Sequence, residues 1–94
     1  MLSKIPADLS KLTKKTLNQE LLRVAIIAEL DAINLYEQLA ALSDDADIKK
    51  VFLDIAKEEK THVGEFQTML LRLDKEQVQE MEHAREEIKE LTGK

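Results

Sequence analysis

The sequence predicts an all-α protein in which two long antiparallel helices form a hairpin and a shorter helix follows. The 94 residues include one proline and two glycines, too few turn signals for an all-β fold. Apolar residues make up 44% and charged residues 35% of the chain, with only 3% aromatic residues, a composition that favours helix. Over two long stretches the apolar residues recur at spacings of three and four, which is the period of one helical face.

The first helix is predicted over residues 16–43. Thr16 can cap it, and Gln19, three residues later, completes a capping box. Its apolar positions form one stripe: Leu21, Leu22, Ala25, Ala32, Leu35, Tyr36, Leu39 and Leu42. Residues 1–15 form a basic leader in which Pro6 discourages a helix. We expect this leader to be a solvated tail or to dock on an acidic neighbour.

The second helix is predicted over residues 46–73, with Asp45 or Asp47 as its cap. Its stripe comprises Ile48, Val51, Phe52, Ile55, Val63, Phe66, Met69, Leu70 and Leu73. The break between the two patterns is short, so the two helices must run antiparallel.

A third helix is predicted over residues 75–91. It has a partial apolar stripe of Val78, Met81, Ala84, Ile88 and Leu91. Neither glycine nor proline marks the junction before it, so the sequence leaves open whether it continues the second helix or turns away.

Composition and charge exclude several classes of function. A net charge of −5 does not suit a protein that binds nucleic acid, because phosphate binding needs a basic face. The absence of cysteine excludes disulfides and iron–sulfur clusters, and no apolar run approaches a membrane span. We expect a single cytoplasmic domain over residues 1–94, and association with other copies because so short a chain buries a thin core.

Three polar residues interrupt the apolar stripes. Glu29 lies four residues after Ala25 and three before Ala32 on the first helix. Glu59 and His62, spaced i, i+3, interrupt the second stripe on one side of that helix. Burial of an unpaired carboxylate costs several kcal/mol, so something must compensate for both glutamates.

The three residues are predicted to lie at the same height in the hairpin. Position 29 is symmetric with 59 and 62 about a point within the turn at residues 43–46. All three therefore lie roughly 22 Å from the turn and face each other across the groove between the helices. Two carboxylates and an imidazole without sulfur suit a first-row transition metal.

The predicted ligand set is half of a known arrangement. Helical-bundle di-iron sites take one Glu from each of two helices and a Glu-x-x-His pair from each of the other two. This chain has one of each, so a two-fold axis through the site would complete it in a homodimer. Taken alone, Glu29 could pair with Arg23 or a neighbouring subunit, and His62 could be an ordinary helix-face histidine. The other histidine, His83, has no clustered partner and is expected to face solvent.

At these residues the sequence resembles the encapsulated ferritins of the ferritin-like superfamily, which are related to the rubrerythrins. The segments 27–36 and 57–62 resemble the family's two ligand-bearing helices. The resemblance implies a ferroxidase that oxidises Fe(II) to Fe(III) for iron storage or detoxification. It also implies a four-helix bundle formed by two chains, two iron ions per dimer, and assembly of the dimers into a larger ring.

The resemblance also assigns roles to particular residues. Glu29, Glu59 and His62 are the implied iron ligands. The resemblance implies that Tyr36 lies next to the ligands and supports them without binding the metal. The residues alone leave a packing role or a redox role open for Tyr36. Asp31 matches an acidic position of an outer metal-uptake site, and Ala28 stands where the family has a second acid.

The family resemblance further implies an encapsulin shell as partner and compartment. The segment 90–94 lacks the family's Gly-Leu-rich targeting peptide. The chain is therefore expected to be free-standing, truncated, or part of a longer shell fusion. Two rival functions stay open: a rubrerythrin-like peroxidase, for which no cysteine-based electron-transfer segment is present, and a non-catalytic helical module in which the three polar residues fix the register.

Overall fold

The computed structural model describes residues 13–94 as three helices and, within that range, no strand. Helix α1 spans Lys14–Leu42, α2 spans Ala46–Leu73 and α3 spans Lys75–Thr92. The predicted all-α class is thus confirmed. Most of the predicted leader, including Pro6, lies outside the described residues. None of the described helices is long and apolar enough to cross a membrane.

The first helix begins two residues before its predicted start, because Thr13 rather than Thr16 caps it. The Thr13 hydroxyl accepts a hydrogen bond from the backbone N–H of Thr16 at 3.2 Å. Gln19 does not reach back to complete a capping box. Its side-chain amide instead donates to the carbonyl of Leu73 at 3.0 Å, which joins the start of α1 to the end of α2.

A short turn reverses the chain between α1 and α2. Asp45 is the cap of α2, and its carboxylate accepts the N–H groups of Asp47 and Ile48 at 2.9 and 3.1 Å. The paired helices are antiparallel, as predicted, since Tyr36 stacks on Phe52 across the groove near the turn. The buried apolar positions of the described chain are mostly small side chains: Ala32, Ile33, Ala40, Ala56 and Leu70. Alanine at this seam lets the two helices pack closely.

The third helix turns away from the hairpin, which settles the question that the sequence leaves open. A continuous helix over α2 and α3 would measure roughly 70 Å, whereas the longest extent of the molecule is 46 Å. Asp74 forms the corner: its N–H donates to the carbonyl of Leu70, and its carboxylate caps α3 by accepting the N–H of Gln77 at 3.0 Å. Arg23 of α1 donates to the same carboxylate at 2.7 Å.

Candidate metal centre

The structure brings Glu29 of α1 together with Glu59 and His62 of α2. The Nδ1 atom of His62 lies 3.5 Å from Oε2 of Glu29 and 3.4 Å from Oε2 of Glu59. One ligand atom from each residue lies within 4.8 Å of the other two. The matched heights that the sequence predicts therefore place the three polar groups in one cluster. Within the described chain, it is the group of His and carboxylate residues that could hold a metal ion.

The cluster is shielded from solvent on the carboxylate side and open on the imidazole side. The side chains of Glu29 and Glu59 are 20% and 19% exposed, whereas that of His62 is 45% exposed. The Oε2 atom of Glu29 is buried and accepts no hydrogen bond. Beyond its 3.5 Å contact with Nδ1 of His62, this buried oxygen has no hydrogen bond to offset its desolvation cost, which a bound cation would offset. This orphaned oxygen fits a metal site.

The donor atoms of the cluster fit a particular class of metal. Two carboxylate oxygens and one imidazole nitrogen, without sulfur, suit first-row ions such as iron, manganese or zinc. Because Nδ1 of His62 is the ring nitrogen that faces both carboxylates, it is the atom positioned to join them as a ligand. Three ligands from one chain leave a di-metal site incomplete.

The open side of the cluster lies on a face of α2 that carries exposed apolar side chains before and after His62. Val51 lies eleven residues before His62 and Met69 seven residues after it, which is close to three and two whole turns. Both side chains therefore share the line of His62 along the helix, and they are 57% and 47% exposed. Leu53, nine residues before His62, lies half a turn away on the opposite side. His62 thus lies between two exposed apolar side chains on a face of α2 that also carries the exposed Glu58 and Glu65; we call this face the Val51–Met69 strip.

The other residues singled out in the sequence lie outside this cluster. The ring of Tyr36 stacks on Phe52, with centroids 6.1 Å apart and planes inclined by 26°. These two residues form a layer of the hairpin about two helical turns nearer the bend than Glu29 and Glu59. Asp31 is half-buried on α1 and is not part of the ligand group.

Two expectations about pairing are settled by the structure. Arg23 does not neutralise Glu29, because its guanidinium bonds to Glu20 at 3.2 Å and to Asp74 at 2.7 Å. His83 faces solvent as expected, but the expectation that it lacks partners is wrong. Its two ring nitrogens lie 3.3 Å from Glu80 and 3.2 Å from Glu87. The i−3 and i+4 spacings of those glutamates are the signal that would have found them.

Comparisons with known proteins agree on one family. The family model named Rubrerythrin matches residues 20–92. Over 81 residues the chain is 62% identical to a ferritin-like–encapsulin shell fusion protein of Pyrococcus furiosus, covering 86% of this chain and 23% of that protein. The crystal structure of an encapsulated ferritin domain from P. furiosus matches with a TM-score of 0.85 and 52% identity, covering 100% of this chain and 96% of that one.

More distant relatives are cargo proteins of a nanocompartment. The chain is 36% identical over 72 residues to the encapsulin nanocompartment cargo protein EncC of Myxococcus xanthus, covering 77% of this chain and 55% of EncC. Cargo protein EncB of the same organism is 40% identical over 53 residues, covering 56% of this chain and 34% of EncB. The chain thus spans between 23% and 55% of the length of the curated relatives that it matches.

Proposed function

The chain belongs to the rubrerythrin family and, within it, to the encapsulated ferritins, and on that premise we propose that it is a ferroxidase whose di-iron site forms between two copies. Each copy contributes Glu29, Glu59 and His62. The substrate is Fe(II), the product is Fe(III), and the electrons pass to oxygen or peroxide. The observation that carries the proposal is the Glu29–Glu59–His62 cluster, which holds half of a di-iron ligand set and opens onto an exposed face.

The hairpin supports a shared site because it contains one helix of each type that a di-iron bundle uses. Helix α1 supplies the single glutamate, and α2 supplies the Glu-x-x-His pair, Glu59 with His62. A second copy related by a two-fold axis would bring the same three groups to the opposite side of the metal pair. The Val51–Met69 strip would then be buried in the contact, which removes apolar surface from water.

The protein residues have distinct parts in the proposed reaction. Glu29 and Glu59 supply negative charge, which stabilises Fe(III) more than Fe(II) and so favours oxidation. The neutral imidazole of His62 completes the set without adding charge. Because the carboxylates are four-fifths shielded from solvent, their interaction with a cation is screened less than it would be on the surface. Tyr36 and Phe52 pack below the cluster and hold the two ligand helices in register.

We further propose that the protein works with an encapsulin shell. Three relatives bear encapsulin names, two as cargo and one as a fusion of a ferritin-like domain to the shell itself. A dimer of open hairpins encloses no storage cavity, so oxidised iron has to accumulate in a separate compartment. The interior of an encapsulin shell, reached as cargo or as a fused domain, supplies that compartment.

Fe(II) titration with simultaneous oxygen measurement and native mass spectrometry tests the proposal. We expect anaerobic Fe(II) binding to saturate at two ions per dimer, oxygen to be consumed once it is admitted, and dimers or larger rings to increase as Fe(II) is added, because a ligand that binds only the dimer stabilises it. Stoichiometric di-iron binding by a monomer would refute the shared site. Protein that stays metal-free after anaerobic loading would favour the non-catalytic module, and turnover confined to peroxide with an added electron donor would favour the peroxidase.

A further inference from the structure

Helix α3 is held by few tertiary contacts. None of its side chains is buried, and Val78, Ile88 and Leu91 are 43%, 56% and 81% exposed. Its ends are capped by Asp74 and by Gly93, which adopts the left-handed conformation at φ 74°, and near its middle the sulfur of Met81 accepts a 3.9 Å contact from the side-chain amide of Gln67 on α2. Helices without a buried face depend on local side-chain interactions for their stability. The stability of its exposed middle turns therefore depends largely on side-chain pairs within the helix.

Those middle turns contain a histidine with a carboxylate on each side. Nδ1 of His83 lies 3.3 Å from Oε2 of Glu80, and Nε2 lies 3.2 Å from Oε1 of Glu87. A neutral imidazole has one N–H and one lone pair, so it can donate to only one of these carboxylates. The other nitrogen would then present its lone pair to a negative oxygen. The imidazolium form donates a hydrogen bond to Glu80 through Nδ1 and, being positively charged, also attracts Glu87, which forms an ion pair with Nε2.

The charges that raise the pKa of His83 are all carboxylates of α3. The hydrogen bond that His83 donates to Glu80 and the negative charge of Glu87, with a smaller contribution from Glu86, raise the pKa of His83 above 6.5. Glu82 is already paired with Arg85. No group from α1 or α2, within residues 13–94, contributes to the shift.

We propose that His83 is a proton-operated clasp of α3, which bridges Glu80 and Glu87 across two helical turns while the ring is protonated and releases them when the ring loses its proton. The clasp is independent of the metal cluster, which lies on the other two helices. It makes α3, the arm that projects from the hairpin, a pH-sensitive part of the molecule.

The direction of the effect follows from linkage. The pKa of His83 is higher in folded α3 than in the unfolded chain, so the stabilisation is fully present below pH 6.5. It is lost as the pH rises through the folded-state pKa. The side chains of His83, Glu80 and Glu87 are 59%, 64% and 60% exposed, so added salt should weaken the clasp.

NMR titration of the full chain tests the clasp. The His83 ring should titrate with a pKa above 6.5, and Glu80→Gln and Glu87→Gln should each lower that pKa. Glu82→Gln is the matched control, because its carboxylate pairs with Arg85, and it should leave the His83 pKa close to the wild-type value. A pKa at or below 6.5, or a pKa that fails to fall in either glutamine variant, would overturn the proposal.

Hydrogen exchange separates a clasp from a histidine that merely titrates. After correction for the intrinsic pH dependence of exchange, backbone amides of residues 80–87 should lose protection between about pH 6 and about pH 8. The same amides in His83→Gln should show no such change. Equal protection changes in wild type and His83→Gln would overturn the link between the proton and the helix.

Discussion

Single residues of the candidate centre show a conflict between folding and function. Glu29 and Glu59 bring two carboxylates close together in a groove that is otherwise apolar, and one oxygen of Glu29 is buried without a donor. Nothing in the packing of the hairpin requires these two charges. A fold selected for stability alone would place apolar side chains at both positions, as at Ala32 and Ala56, which are buried. The free-energy cost of placing two carboxylates in this groove is explained if the proposed metal offsets it on binding.

Glu59→Gln tests this conflict, because it removes one charge and keeps the shape of the side chain. In the metal-free protein the substitution relieves repulsion from Glu29, so we expect stability to rise by about 1 kcal/mol, or several degrees in Tm. Fe(II) oxidation should fall by more than the roughly 10- to 100-fold typical of groups that only support a ligand. Thermal melts with and without metal, together with oxygen consumption, measure both effects.

Glu37→Gln is the matched control, since this exposed side chain lies outside the cluster and pairs with Lys60, on the side of α2 away from His62. It should leave the rate and the metal-free Tm close to the wild-type values. If Glu59→Gln oxidises Fe(II) at the wild-type rate, Glu59 is not a ligand of the proposed site.

At the scale of helices, the sequence predicts what depends on periodicity and misses what depends on tertiary contacts. The apolar stripes and the turn at residues 43–45 were sufficient to predict the hairpin and the meeting of Glu29 with Glu59. The start of α1 differs from the prediction because Thr13 rather than Thr16 caps it, and the capping box is absent because Gln19 bonds to Leu73, a partner from the other helix. The direction of α3 was not predictable because Arg23, 51 positions before Asp74, bonds to the corner.

Asp74→Ala tests how the corner holds α3. The substitution removes the cap of α3 and the bond to Arg23, so we expect a loss of about 1–2 kcal/mol and fraying of the first turn of α3. Hydrogen exchange should locate the loss in residues 75–80 and leave the middle of α1 and α2 protected. Asp45→Ala, which removes the cap of α2, is the matched control and should loosen the turn at residues 43–45 instead. Equal exchange in α3 for both variants would contradict a capping role for Asp74.

At the scale of the whole molecule, the protomer leaves much apolar surface exposed. Leu21, Val51 and Met69 of the hairpin are 41%, 57% and 47% exposed. Single exposed apolar residues are ordinary on a small protein, but a strip with a polar cluster at its centre indicates a contact surface. The proposed dimer must therefore satisfy two conditions with one contact surface. The second copy should bury the Val51–Met69 strip and should also supply the missing metal ligands.

Val51→Lys tests that requirement, with Leu53→Lys as its matched control. The two positions are 57% and 49% exposed, so a lysine at either should change the stability of the monomer by less than about 0.5 kcal/mol. Val51 shares the line of His62, whereas Leu53 lies on the opposite side of α2. We therefore expect Val51→Lys to shift the protein to monomers in native mass spectrometry and to abolish stoichiometric Fe(II) oxidation, because it places two like charges in the contact. Leu53→Lys should retain both dimer and activity. A Val51→Lys variant that is monomeric yet oxidises Fe(II) at the wild-type rate would show that one chain suffices for the reaction. A variant that stays dimeric and active would show that the dimer contact lies on another face.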